Sequence, residues 1–418
     1  MIKSKYRVVA TGIGVLAPNG IGKDAFWNAT LNGISGIKEL TLIDPAPYPC
    51  KIAGEIRDFH ADEYLDFKVV KRTGRAVHLG MAATKFALKD AGISEQEVDK
   101  EIFELIMGIG CPSMDIIGNS YEAFLTRGPE RVPPYTTLGG SIHSPASTVV
   151  NMFNLKSPSI TLSTNCTAGM NAIGYGFESI RSGRLKMAIT GGIDAPINKF
   201  TFASFCQAGM LTLFSGDPTK ASRPFDKLRD GGILSEGAAV IILEELNHAL
   251  MNKRTIYGEI IGFGSISDNS NGQDSNGNGA LRGMIYVMDK ALKDANVSPE
   301  NIDYISAHAP SDPYLDKIET DSIKSYFGDL AYKIPLSSIK STIGNPVAAA
   351  ASLQVVASLL SLRDQRIPPT INYENPDPDC DLDYVPNIMR YNNINTILVN
   401  SRGLGGSFSA LVLKKFKL

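Results

Sequence analysis

Histidine, cysteine and tryptophan are scarce in this chain: five, five and one among 418 residues. The cysteines (Cys50, Cys111, Cys166, Cys206 and Cys380) are scattered without metal-ligand spacing. They read as reduced thiols in a cytoplasm, and no metal or cofactor cluster is expected. No apolar run approaches the ~20 residues of a membrane span. The start, MIKSKYRVVATGIG, lacks the apolar core and small-residue cleavage site of a signal peptide. Charge of one sign is missing as well. With 41 Lys and Arg against 43 Asp and Glu, the net charge of −2 points to neither nucleic acid nor an anionic membrane as partner. No Gly/Ser linker or low-complexity segment divides the chain.

What is present is an ordinary globular balance, 43% apolar and 20% charged, in a chain too long for one simple core. Strand-like runs at Arg7–Thr11, Leu105–Ile109, Met187–Thr190, Ala238–Leu243, Ile302–Ser306 and Thr396–Asn400 alternate with helical patterns. That alternation predicts an α/β protein whose sheet is covered on both faces. The sequence also repeats itself. ALKDAGISEQEVDKEIFELIMGIG from Ala87 is echoed by ALKDANVSPENIDYISAHA from Ala291, each a helix tail, a turn and an apolar strand. TLSTNCTAGMNAIGYGFESI from Thr161 is echoed by PLSSIKSTIGNPVAAAASLQ from Pro335, each a strand, a turn and a helix rich in small residues. Two pairs in the same order predict a duplicated fold, residues 1–254 and 255–418, with both turns brought to one site.

Cys166 occupies the first of those turns, between SITLSTN and TAGMNAIGYGFESIRSG. A small buried cysteine is the commoner fate of a lone thiol. At a helix N-terminus, however, the macrodipole and free N–H groups favour thiolate, and a sharp strand-to-helix turn exposes the sulfur. Among possible partners, His308 ends the apolar run DYISAH and opens the polar loop APSDPYLD, where catalytic residues of α/β sheets sit. His60, His78 and His248 read as surface residues, and His143, among small residues, as one that a fold could bury.

These residues stand in phrases that resemble the β-ketoacyl-[acyl-carrier-protein] synthases of the thiolase superfamily, specifically the type II elongating branch (fatty-acid and type II polyketide ketosynthases). The likeness runs through YRVVATGIGVLAPNG, KSPSITLSTNCTAG, ASRPFDKLRDGGILSEGAAVIILEE, LRDQRIPPTINYENPDPDCDLDYVPN and NSRGLGGSF. It implies the thiolase fold, a duplicated five-layered α/β/α/β/α arrangement, usually dimeric. It further implies Cys166 as acyl acceptor, His308 as first active-site histidine, Lys340 as the lysine of the Lys-Ser motif, and Asp316 and Glu319 as supporting acids. The backbone N–H groups of Cys166 and Leu404 would form the oxyanion hole. The sequence departs from the pattern at several positions. Asn345 stands where this branch has a second histidine, and offers an N–H donor but no acid or base function. Pro310 and Asp312 replace two threonines that commonly bond the phosphopantetheine arm. Leu404 replaces a gating phenylalanine and Phe408 an asparagine.

The reaction so implied is a decarboxylative Claisen condensation of a Cys166-bound acyl group with malonyl-carrier protein, without metal or cofactor beyond the carrier's phosphopantetheine. The altered loop and Asn345 tilt the expectation toward polyketide or specialised fatty-acid biosynthesis. The expected assembly is a homodimer or a heterodimer with a chain-length-factor-like subunit. In FKVVKRTGR, Lys68, Lys71, Arg72 and Arg75 fall at i, i+3, i+4 and i+7, a basic helix face that the resemblance makes a dock for an acidic carrier protein. A non-extending acyltransferase or malonyl-carrier-protein decarboxylase is the competing reading. A dinucleotide site in TGIGVLAP is rejected, because Pro18-Asn19-Gly20 breaks the helix it needs.

Overall fold

The computed structural model describes residues 6–94, 103–111, 113–268 and 278–417. Its first strand, β1 (Val8–Ala17), is buried along its whole length. That is why VVATGIGVLA, Thr11 apart, is a continuous apolar run rather than an alternating one. Around it are α1 (Arg75–Ala91), β2 (Phe103–Ile109), β3 (Ser159–Leu162), α2 (Ala168–Arg181), β4 (Met187–Asp194) and β5 (Gly237–Glu245). The second half supplies β6 (Gly258–Ser267), α3 (Asn278–Ala295), β7 (Tyr304–Ser306), α4 (Pro313–Phe327), β8 (Leu336–Ser337), α5 (Ala348–Asp364), β9 (Thr396–Gly403) and β10 (Ser407–Lys414).

Each half builds the same sheet. The first runs β3-β2-β4-β5-β1 and the second β8-β7-β9-β10-β6. In both, the three strands at one end pair parallel and the remaining two antiparallel. A short antiparallel contact of Val8–Ala10 with residues 258–260 joins the two sheets. Helix α1 packs on β1 and β5, α3 on β6 and β10, and α4 beside α3, while α2 and α5 pack on each other between the sheets. The layers are therefore α/β/α/β/α, the duplicated architecture expected. Among the described residues no helix is long and apolar enough to cross a membrane.

The echo ALKDAG/ALKDAN has a physical cause. Both strands carry a bulge, between Ala10 and Gly12 in β1 and opposite Val412 and Leu413 in β6. The backbone N–H just beyond each bulge goes to the aspartate of the echo: Ile13 to Asp90 and Phe263 to Asp294, both at 2.9 Å. A Cβ on Gly12 would fall 2.4 Å from the Ala87 carbonyl oxygen, and one on Gly262 2.3 Å from that of Ala291. Helix and strand touch backbone to backbone in both copies. Each helix then ends on a residue at left-handed φ, Gly92 at 68° and Asn296 at 52°, the two types that tolerate it best. The first echo's residues 95–102 lie outside the described residues.

Three expectations need correction. Most strands extend past the stretches read from sequence; β9, for example, continues to Gly403, leaving Leu404-Gly405-Gly406 as the turn into β10. The basic segment is not one helix: Phe67–Arg72 ends at Thr73, which is extended (φ −128°, ψ 160°), and Arg75 opens α1. Arg75 therefore leaves the face of Lys68, Lys71 and Arg72. Its guanidinium turns inward to the buried Glu236 (2.6 and 2.7 Å) and the Ile56 carbonyl (2.9 Å). His248 is buried rather than superficial, its Nδ1 2.6 Å from the Glu244 carboxylate.

Candidate active site

β3 leads into a tight turn, Asn165–Thr167, before α2 begins. Asn165 takes φ 55°, a left-handed value that asparagine tolerates, and sets Cys166 at the helix N-terminus. The β9–β10 turn from the second half clamps this corner. Ser401 Oγ donates to the Cys166 carbonyl (3.2 Å), Asn165 Nδ2 to that of Leu404 (3.0 Å) and Thr167 Oγ1 to Ser407 Oγ (3.0 Å). A Cβ on Gly403 would lie 2.7 Å from the Thr164 carbonyl oxygen and 3.3 Å from the Cys166 nitrogen, so this approach requires glycine.

The second half brings the other groups. His308 follows β7, its backbone N–H donating to Glu319 Oε1 (2.9 Å) while that of Ala309 donates to Oε2 (2.8 Å). Lys340, 1% exposed, follows β8 and donates to the His308 carbonyl and to Gln354 Oε1 (2.9 Å). Asn345 bonds through its backbone N–H to the Ile233 carbonyl (2.8 Å), and its Nδ2 lies 3.9 Å from Cys166 Sγ. Cys166, His308, Asn345 and Leu404 all line one cleft, whose wall includes the apolar Phe205, Met210 and Ile233. Glu319 sits beneath His308. Asp316 does not reach the cleft: it accepts from the Phe225 N–H (2.9 Å) and faces Arg229 at 3.8 Å.

Burial dominates the electrostatics. It pushes the Cys166 thiol up to about 11, against the opposing Lys340 charge and the Asn345 contact. The expected helix-terminus thiolate is thus overruled in the free site, because an enclosed sulfur loses more hydration than a helix end returns. Burial, then the charges of Lys340 and Arg402, hold His308 well below the usual histidine value, so it is neutral at pH 7. Lys340 is lowered to about 8 by burial, with Glu319 opposing. A neutral imidazole and a protonated thiol can exchange a proton as a bond forms at sulfur, while the Asn345 amide and backbone N–H groups supply donors to developing negative charge.

The sequence reading missed three residues. Asp194, at the end of β4, receives the N–H groups of Gly110 (2.9 Å), Cys111 (2.8 Å) and Ala348 (2.7 Å), which ties the N-terminus of α5 to the cysteine's half. Gln354 holds Lys340 and donates to the Ala307 carbonyl (2.7 Å). Arg402 lines the cleft. For Asp194 and Arg402 the available signals were an acid closing the buried strand MAITGGID and an arginine opening the glycine-rich turn in SRGLGG. Among the described residues no group of three His, Cys, Asp or Glu side chains could hold a metal ion.

Comparison with known proteins bears on this arrangement. The beta-ketoacyl synthase N-terminal domain matches residues 5–249 and the C-terminal domain residues 257–374. The 3-oxoacyl-[acyl-carrier-protein] synthase 2 of Coxiella burnetii is 39% identical over 98% of this chain and 99% of its own length. The tetracenomycin polyketide synthase ketoacyl synthase alpha subunit of Streptomyces glaucescens is 37% identical over 99% and 98%. Among solved structures, the ishigamide ketosynthase/chain length factor superposes with a TM-score of 0.91 at 32% identity, covering 99% of this chain and 100% of that one. A type II PKS acyl-carrier protein in complex with its ketosynthase bound to the hexaketide does so at 0.87 and 31%, with the same coverage. Matched in both halves and along nearly its whole length, this chain belongs to the beta-ketoacyl synthase family.

Proposed function

We propose that the protein is an elongating ketosynthase of polyketide or specialised fatty-acid biosynthesis, an acyltransferase that condenses a Cys166-bound acyl group with malonyl-carrier protein. The observation that carries this reading is the convergence of Cys166 from one half with His308 and Asn345 from the other on a single cleft, the amide 3.9 Å from the sulfur.

In the first half-reaction Cys166 Sγ attacks the acyl thioester and its proton passes through neutral His308 to the departing phosphopantetheine sulfur. The N–H groups of Cys166 and Leu404 receive the tetrahedral oxyanion, a role supported by the close approach of Gly403 to the cysteine nitrogen. In the second, the malonyl carbon–carboxylate bond breaks and its electron pair moves into the thioester as an enolate. His308 and Asn345 donate to that enolate oxygen. The α-carbon then attacks the Cys166 thioester and expels the sulfur, giving the 3-oxoacyl-carrier protein. Lys340 and Glu319 act by fixing the His308 loop, and Asp316 by holding α4.

The carrier protein docks on Lys68, Lys71 and Arg72, all exposed on the short helix Phe67–Arg72, without Arg75. The edge strand β3, half-buried and paired on one side only, supports a second ketosynthase-like subunit as neighbour, a copy of this chain or a chain-length-factor-like partner. Intact-mass analysis of wild type and Cys166→Ala with acyl- and malonyl-carrier proteins tests the reading. Acylation of wild type alone, followed by a 3-oxoacyl product, is expected. Acylation without extension, or carbon dioxide release without a new carbon–carbon bond, would overturn it in favour of a transferase or decarboxylase.

A further inference from the structure

Two enclosed arginines of this fold come with carboxylates. Arg75 holds Glu236, and Arg229, 5% exposed at its side chain, bonds Asp377 at 2.5 Å and faces Asp316 at 3.8 Å. Arg402, half-buried, differs from both. It projects from β9 on the face opposite Ser401 and Gly403, which meet the cysteine turn. Its guanidinium lies 6.0 Å from the Tyr314 ring centre and 5.6 Å from that of Phe408. Its Nη1 is buried without a hydrogen-bond partner, and no described carboxylate forms an ion pair with it. Asp312 and Glu319 act on it through their charge without a direct bond. Asp312 Oδ1 accepts from the N–H groups of Tyr314 (2.9 Å) and Leu315 (2.8 Å), capping α4, and Glu319 spends both oxygens beneath His308. A partly desolvated cation with no bonded counter-ion retains hydrogen-bonding capacity, and Arg402 lines the cleft, where Asp312 is the other charged lining residue.

We propose that Arg402 receives the free carboxylate of the extender unit and thereby selects a malonyl-type thioester over an uncarboxylated acyl thioester. The inference rests on the condensing reading above. The carboxylate of a malonyl thioester is one carbon removed from the carbonyl that His308 and Asn345 receive, and Arg402 is near enough for its charge to act on His308. Decarboxylation sends the bonding electrons into the enolate and releases neutral carbon dioxide, so the guanidinium holds the extender and lets the product go.

The test measures affinity for malonyl-carrier and acetyl-carrier protein on Cys166→Ala enzyme, with and without Arg402→Gln or Arg402→Lys. Loss of a charge-assisted bond predicts a fall of about tenfold or more in malonyl-carrier affinity in Arg402→Gln. Acetyl-carrier affinity should move less than about twofold, and the lysine variant should recover part of the preference. Equal losses for both carriers would assign the guanidinium to the arm they share and overturn the proposal, as would unchanged affinities. A protein that never extends yet loses its malonyl preference in Arg402→Gln would retain this inference and overturn the condensing reading alone.

Discussion

Lys340 is the most deeply enclosed cation of the site, and replacing it with methionine isolates what its burial does. Its ammonium donates to the His308 carbonyl and Gln354, while loss of hydration lowers it from 10.5 to about 8. Below about pH 8 the lysine is protonated in both folded and unfolded chains, and the full cost of enclosing the charge is present. Between about pH 8 and 10.5 the folded chain has released a proton that the unfolded chain still binds, so this residue's contribution to stability rises with pH. A difference of 2.5 units (10.5 − 8) corresponds to about 3 kcal/mol, at about 1.4 kcal/mol per unit. Urea unfolding of wild type and Lys340→Met at steps from about pH 7 to 10 reads this directly, because groups titrating alike in both proteins cancel in the difference. The stability difference should shift toward wild type by about 2 to 3 kcal/mol across that range. Parallel curves would mean that Lys340 keeps its proton in the fold, and the burial argument would be wrong. The same variant removes a positive charge acting on His308, so the acid limb of the activity profile should move to higher pH.

Asn345→Ala removes the donor beside Cys166 and should slow release of carbon dioxide from malonyl-carrier protein by about 10²–10³, while intact-mass analysis still finds Cys166 acylated. Equal loss of acylation would contradict the division of roles. Charge reversal at Lys68 and Arg72 should raise KM for carrier-bound substrate at unchanged Tm. Arg75→Ala should instead lower stability by about 3 kcal/mol, because it strands the buried Glu236; thermal unfolding together with KM separates the two.

The fold was legible where local sequence carries a whole constraint. VVATGIGVLA announces a strand enclosed on both faces, and ALKDAG and ALKDAN carry the helix end, the small residues under a strand and the aspartate that serves a bulge. Cys166 was legible as a strand-to-helix turn, and the roles of His308, Lys340 and Asn345 came from phrases long enough to be compared. What escaped depends on partners far along the chain. Arg75 meets Glu236 161 residues away, and Asp194 meets Ala348 154 residues away. His248 lies four residues from Glu244, yet its burial depends on the sheet that closes over both. The protonation of Cys166 was misjudged for a related reason: a helix terminus is visible in sequence, whereas the enclosure that outweighs it is made by the other half.

Matching halves with a cysteine at only one of the two turns describe a division of labour that a symmetric pair of subunits could not achieve. In a pair of identical chains, any residue placed at one turn appears at the other. Once the two copies share one chain, each turn can specialise: the first keeps the sulfur, the second the lysine and the amide. Symmetry survives in the bulges, helix ends and strand order, where both copies answer the same packing problem, and is abandoned where the chemistry is asymmetric. Evolution of new substrates in such a chain can therefore work on one half's turn while the other half holds the frame.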